Sequence, residues 1–448
     1  MIRIANGQGF WGDSIDAPKK LIRYGKIDYL TLDYLAEVTM SIMQKQKIRN
    51  PNSGYARDFV ALIDEMIPEI LSNNIKVISN AGGVNSSSCS EEILRLTKGI
   101  DGHSVPVGII EGDDILDRVD SLYKSGVDFK NMDTGESFEK IRDKIYSANA
   151  YISSFSIRDA LQGGAKIVLA GRVSDPGLAL GPMLYEYNWK ETDYNLLAAG
   201  TLAGHITECG AQCTGGNFTR WDKVVDLANI GYPIIESYQD GSFAITKPED
   251  SGGIVNRYTV AEQILYELGN PENYISPDVC VDFTSFTMKE DSGKVCIDKV
   301  TGMSPTNTYK VAISYFAGYK ASGQLTISGP DALEKAKLVD SMLWDRLRAS
   351  GNTYKNKNTE FLGLSSCHQN LSVEPDVMNE VVVRWSVRDD DKVKVDRFGM
   401  ELAPLITSGP PGVTGFSGGR PKATEVVGYW PCLIDKSLVP VTTRVVGV

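Results

Sequence analysis

The chain has no apolar run approaching the roughly 20 residues that a membrane helix needs, so a spanning segment is not expected. It has no excess of basic residues. Its net charge is −11, which argues against a nucleic-acid partner, because gripping a phosphate backbone requires a basic face. The seven cysteines are odd in number, scattered and without paired metal-ligand spacing, so neither a disulfide framework nor a structural zinc site is expected. Free thiols fit a reducing, cytoplasmic setting. The N-terminus opens as MIRIANG, without a basic stretch and apolar core that would mark it for secretion. Low-complexity tracts, solenoid repeats, a G-x-S-x-G elbow and a G-x-x-x-x-G-K-[ST] phosphate loop are likewise missing.

The remaining composition is that of a globular protein of 448 residues, long enough for two domains. Strand patterns at 2–5, 29–32, 75–79, 105–110, 150–154 and 166–170 alternate with helical patterns at 18–24, 35–46, 55–71, 90–98, 115–125, 138–147 and 157–162. The expected fold class is therefore α/β, a mainly parallel sheet with helices on both faces over 1–220. A mixed α+β half over 221–448 follows, with strands near 243–246, 279–287, 295–300 and 309–319 and a helix over 331–350. A linker is expected at 350–359, strand pairs at 377–387 and 393–398, and a Gly-Pro loop at 408–421.

In a parallel sheet the ligand crevice lies beyond the carboxyl ends of the strands. Polar, glycine-rich loops follow those ends here: Asn6-Gly7-Gln8-Gly9, Asp33, Asn80-Ala81-Gly82-Gly83, Glu111-Gly112-Asp113-Asp114 and Gly171-Arg172 through Asp175. Five such loops at one edge predict a shared cleft. Its carboxylates are Asp33, Glu37, Glu111 and Asp113. Arg172 offers a planar fork for a substrate carboxylate, with a structural Arg172–Asp175 pair as the competing reading. Lys247 with Ser251-Gly252-Gly253, and Gly418-Gly419-Arg420, are further cation-plus-glycine turns.

The segment 197–218, LAAGTLAGHITECGAQCTGGNF, is unusual in holding five glycines, two cysteines and one of only three histidines. Each interior glycine costs roughly 1 kcal/mol in a helix, which argues against an ordinary core helix. Small residues do let a backbone approach something closely. At helical spacing His205, Glu208 and Cys209 share a face, and His205 with Glu208 reads either as an acid–base pair or as a hydrogen-bonded core pair. Gly215, Gly216 and Asn217 extend the same loop toward the cleft. No metal site is expected, since His205, Cys209 and Cys213 on one straight helix would span about 12 Å, beyond the reach of a single tetrahedral ion. His103 lies in a loop with a solvated role, and His368 beside Cys367 would point away from it on a strand.

Gly7-Gln8-Gly9-Phe10-Trp11-Gly12 with Asp33 matches the dinucleotide fingerprint in form. Phe10 and Trp11 would crowd a pyrophosphate, Asp13 and Asp16 would repel it, and the helix starts too late to meet it. No cofactor is expected.

The strings ANGQGFWGD, DYLAEVTM, GYARDFV, KVISNAGGVN, EGDD, GRVSDPGLAL, GTLAGHITECGAQCTGGNF, DGSFAITKP, TVAEQILYE and PDVCVDFT, in that order, resemble the acyclic terpene utilisation (AtuA) family. The resemblance implies catabolism of branched acids or their thioesters. Longer members carry a C-terminal ferredoxin-like domain, so a separate small partner protein is expected to supply it here, alongside self-association into a homo-oligomer. The expected function is a cytosolic lyase, adding or removing water or a C–C fragment on a small branched carboxylate or acyl thioester. His205 or Glu208 would transfer the proton, with Asp33 and Glu111 as further acid–base groups. Asn6, Gly7, Gly9, Asn80, Gly82, Gly83, Asp113, Arg172, Asp175, Gly215, Gly216 and Asn217 would hold the substrate. The alternative is a non-catalytic substrate-binding or scaffold subunit working with that partner.

Overall fold

A computed structural model of the chain describes residues 1–99, 105–373, 378–415 and 418–447. By its contacts the chain divides into Met1–Ser314 with Tyr429–Val448, and Tyr315–Gly428, elsewhere than at the expected boundary near residue 220. The strands are β1 (Ile2–Gln8), β2 (Tyr29–Leu32), β3 (Lys76–Ser79), β4 (Val107–Glu111), β5 (Ile145–Ala150), β6 (Ile167–Leu169), β7 (Ile234–Ser237), β8 (Phe243–Thr246) and β9 (Tyr274–Ile275). They continue as β10 (Cys280–Asp282), β11 (Thr287–Asp291), β12 (Lys294–Asp298), β13 (Thr301–Met303), β14 (Thr308–Ser328), β15 (Asn356–Leu362), β16 (Glu380–Asp389), β17 (Thr424–Asp435) and β18 (Thr442–Val446).

The first unit is mixed α/β. Among the described residues its main sheet has the order β11-β12-β8-β7-β1-β2-β3-β6-β4-β18. The neighbours β1/β2, β2/β3, β3/β6 and β6/β4 are parallel, and the strands flanking this centre on either side pair antiparallel. The central strands are short, mostly apolar and buried except for half-buried Lys76, as covered parallel strands are. The strand expected at 150–154 is not in this sheet. The β-structure lies earlier, in β5, and the helix expected over 138–147 is replaced by two single 3₁₀ turns and the start of β5. A smaller sheet, β13-β10-β9, completes the unit.

Helices of this unit are α1 (Ala17–Tyr24), α2 (Glu37–Arg49), α3 (Arg57–Ser72), α4 (Ser86–Thr97), α5 (Val119–Lys124), α6 (Phe155–Gln162), α7 (Gly177–Tyr187), α8 (Tyr194–Thr207) and α9 (Arg257–Leu265). In α3, Phe59, Ile63, Met66, Ile67 and Ile70 recur at helical spacing and are buried. Each such side chain contributes about 1.5–3 kcal/mol relative to exposure. The glycine-rich segment does form a core helix after all: from Leu197 to Thr207 every residue of α8 is buried. Close packing explains the glycines. A Cβ at Gly204 would lie 2.4 Å from the Pro176 carbonyl, and one at Gly200 would lie 2.5 Å from Leu180. Removing those atoms lets α8 press against α7 and the turn before it, and the packing gained offsets the helix-propensity cost.

The second unit is built on β14 from Tyr319 to Ser328, which pairs antiparallel with β16, and β16 with β15. Its helices are α10 (Ala332–Ala349), α11 (Lys392–Leu402) and α12 (Pro404–Ser408). Trp385 is fully buried at its centre, with Nε1 donating to Asp340 (2.8 Å). Two sequence expectations are corrected here. The strand expected at 393–398 is α11, capped by Asp391 accepting from the Val393 amide, with Val395, Phe398 and Leu402 buried at helical spacing. The linker expected at 350–359 is partly β15, an edge strand whose Asn and Lys residues disguise it as loop. Among the described residues no helix is long and apolar enough to cross a membrane.

Candidate active site

Parallel pairing brings the carboxyl ends of β1, β2, β3, β6 and β4 to one edge of the first unit. Asp33 follows β2 directly. Its amide donates to the Gln8 carbonyl (3.0 Å), and its Oδ1 accepts from Asn80 Nδ2 (2.6 Å) and the Leu35 amide (3.0 Å). Asn80, at the end of β3, is fully buried and accepts from the Tyr34 amide (2.7 Å), so its role is to orient Asp33. No bond to Asp33 Oδ2 is made among the described residues. Burial, then the nearby Asp175 charge, push the Asp33 carboxyl up to about 7, against the pull of Arg172, Asn80 and the Leu35 amide.

Arg172 follows β6 and is buried. Its amide donates to Asp113 Oδ2 (2.7 Å), which also accepts from Asn149 Nδ2 (3.0 Å). Burial and the neighbouring Asp114 raise Asp113 to about 7. The Arg172 guanidinium donates to the Leu35 carbonyl and to Asp175 (2.7 Å) and lies 4.2 Å over the Tyr151 ring. Its fork is thus occupied within the protein. Burial opposes its charge, but Asp175, Tyr151, Asp33 and Glu37 hold it firmly cationic. The Tyr151 hydroxyl donates in turn to Glu37 (2.6 Å). Burial raises the Glu37 carboxyl, but this bond and Arg172 outweigh it and hold the group below its ordinary range.

His205 sits in the last turn of α8, only 2% exposed, against the rings of Tyr274 and Phe283. Both ring nitrogens are engaged: Nε2 with the Ile264 carbonyl (3.2 Å) and Nδ1 with Glu208 Oε1 (3.0 Å). A carbonyl only accepts, so Nε2 carries a proton. One further proton must then lie between Nδ1 and Oε1, either on an imidazolium beside a carboxylate or on a neutral Glu208. Losing it would set a lone pair against a buried negative charge. Glu208 is pushed up to about 7, mainly by burial, with His205 pulling the other way. Burial lowers His205, but the Glu208 charge and hydrogen bond raise it more. The pair therefore holds its shared proton more tightly than a free carboxyl or a free imidazole would. Glu208 Oε2 is buried without a partner.

Asp175 joins the two halves. Its side chain is 41% exposed, and its charge acts on Asp33, Arg172 and Tyr151 on one side and on His205, Glu208 and Tyr274 on the other. Asn6 fixes the geometry by donating to the carbonyls of Thr207 (2.6 Å) and Glu208 (2.8 Å). Gly9 serves the same contact, since a Cβ there would lie 2.8 Å from the Cys209 carbonyl carbon.

Other expected site residues lie apart from this cluster or serve packing. Glu111 accepts from Ser87 (2.7 Å) and pairs with Arg444 (3.8 Å). Gly7 packs on Leu32 and Pro18, Gly82 on Ser86 and Ala170, and Gly83 on Met43 and Gly54. Gly215 meets Val224 and Ile254, while Gly216 and Asn217 line a separate cavity of about 310 Å³ with Gln263 and Tyr266. His103 lies outside the described residues. Tyr151, Asn149 and Tyr274 belong to the cluster but carry no local sequence signal, because their partners are distant in the chain. Among the described residues no three His, Cys, Asp or Glu side chains are grouped to hold a metal ion. Half-buried Cys209 has its thiol pushed up to about 12 by burial and then by Glu208.

No curated protein and no solved structure was found to match the chain. A family model, that of the acyclic terpene utilisation family protein AtuA, matches residues 2–445, essentially its whole length, and the chain belongs to that family.

Proposed function

We propose that the chain is an acid–base lyase acting on a small branched carboxylate or acyl thioester at the sheet-end cluster. One observation carries the reading: two carboxyls, Asp33 and Glu208, are each held at about 7, and both feel the charge of Asp175, which pairs with a buried, permanently charged arginine. Carboxyls tuned to neutrality are what proton transfer at physiological pH requires. In the dehydration direction Asp33 Oδ2 takes the proton beside the carbonyl. Glu208, supplied through His205, protonates the hydroxyl, which leaves as water with the C–O bonding pair. Arg172 lowers the cost of the transient enolate by its field rather than by direct contact. His205 holds the Glu208 proton and is a positioning residue.

The test is incubation with branched 3-hydroxyacyl thioesters and free acids in heavy water, read by mass spectrometry. Deuterium should enter beside the carbonyl, at a rate cut by on the order of 10²–10⁴ in Asp33→Asn, and loss of water should slow by a similar factor in Glu208→Gln. Unchanged exchange in Asp33→Asn would overturn the assignment of Asp33, and unchanged loss of water in Glu208→Gln that of Glu208.

A further inference from the structure

A second cavity in the first unit, about 920 Å³ in volume, carries a charge bias opposite to that of the chain. Six cations line it, Arg3, Lys20, Arg23, Lys26, Lys247 and Lys294, against three carboxylates, in a protein of net charge −11. One carboxylate, Glu236, is already shared by Arg3 and Lys294 (2.5 Å). Arg23 pairs outside the cavity with Glu69. Lys20, Lys26 and Lys247 have no carboxylate partner among the described residues. Lys20 donates to Asn229 (2.8 Å) and Lys247 to the Ser251 carbonyl (2.6 Å). Arg3 Nε is buried without a partner.

One wall of the cavity is α1, from Ala17 to Tyr24, and the other runs from Glu236 to Tyr232. Arg3 pairs with Glu236 across β1 and β7, whereas Asn6 bonds the Pro233 carbonyl beside Tyr232. The groove thus follows β1 for about 10 Å. Its Tyr232 end reaches the neighbourhood of the cluster. The Tyr232 hydroxyl donates to Asp13 (2.5 Å), Asp13 accepts from the Gly9 amide (2.9 Å), and the Tyr232 ring lies against Gly210, two residues after Glu208.

The geometry points to this groove as the seat of a phosphate-bearing nucleotide tail on an acyl thioester, its lysines holding the phosphates and its Tyr232 end directing the thioester arm toward Glu208. The inference rests on the thioester form of the reading above. Soluble thioester carriers bear phosphates, and a groove with unpaired lysines at one end of an anionic molecule selects them from a free acid. Exposed Tyr24 offers a ring face for a base at the far end.

Calorimetric titration of the full chain with coenzyme A, adenosine 3′,5′-bisphosphate and pantetheine tests it without turnover. Coenzyme A and the bisphosphate should bind, pantetheine at least about tenfold more weakly, with the gap narrowing as salt is raised. Lys20→Glu/Lys26→Glu, at two exposed positions, should weaken coenzyme A by at least about tenfold, and Lys247→Gln should do so to a lesser degree. Equal affinity for coenzyme A and pantetheine, or wild-type affinity in the double variant, would overturn the assignment. Coenzyme A binding without deuterium exchange would leave the groove standing and remove the lyase reading. Exchange on a pantetheine thioester without coenzyme A binding would do the reverse.

Discussion

Replacing Glu208 by Gln tests the shared proton directly. In the native protein the Glu208 carboxyl is held at about 7 rather than its ordinary 4.5, and His205 also holds its proton more tightly than a free imidazole. Between those values the folded chain binds more protons than the unfolded chain, so stability must fall as pH rises. This is the reverse of a salt-bridged carboxylate. The loss begins near the unfolded value, is complete above the folded one, and amounts to about 3 kcal/mol for Glu208. Gln mimics the protonated acid, because its amide donates to His205 Nδ1 while Nε2 stays on the Ile264 carbonyl. Urea unfolding between pH 5 and 8 should therefore show the variant gaining on wild type as pH rises, by about 3 kcal/mol at pH 8, with little difference at pH 5. Comparing the two profiles removes the parallel contributions of Asp33 and Asp113. Identical pH slopes would refute the shared proton.

Three further outcomes follow from the same contacts. Asp113→Asn, which keeps an acceptor for the Arg172 amide and Asn149, should stabilise the protein at pH 8 by on the order of 2–4 kcal/mol and not at pH 4, measured by urea unfolding. Arg172→Ala removes the cation that offsets buried Asp33 and half-buried Glu37 and empties the stack on Tyr151. It should cost about 3–5 kcal/mol, and a loss below 1 kcal/mol would show that the cluster does not depend on this charge. Gly204→Ala places a Cβ 2.4 Å from the Pro176 carbonyl and should lower stability by about 1–3 kcal/mol. Gly269→Ala, with open space around it, should be nearly silent, both variants being read by the same urea unfolding.

The strand ends that build the cluster were legible because strand–helix alternation is a local pattern. β2 and β3 and the Asp33 and Asn80 turns lie where periodicity and turn chemistry put them, whereas β1 runs on to Gln8 and takes Asn6 into the strand. The family was legible from ordered motifs. Short windows misled where two periods overlap: Val393 and Val395 look like alternation, but Val395, Phe398 and Leu402 bury as one helical face. The glycines of α8 misled for a related reason. Propensity penalises them locally, whereas their benefit is contact with Pro176 and Leu180 on another stretch of chain.

By itself the sequence determined which residues could carry proton chemistry: a lone histidine three positions from a glutamate, carboxylates after strands, and an arginine after the last central strand. Only the tertiary structure decided what those groups are. It buried His205 between Tyr274 and Phe283, engaged the Arg172 fork with Leu35 and Asp175, and detached Glu111 toward Arg444. Proton affinity depends on burial and on charges within a few ångströms. Those neighbours come from segments as much as 137 residues apart for Arg172 and Leu35, and further still for Glu111 and Arg444, distances that no local pattern spans.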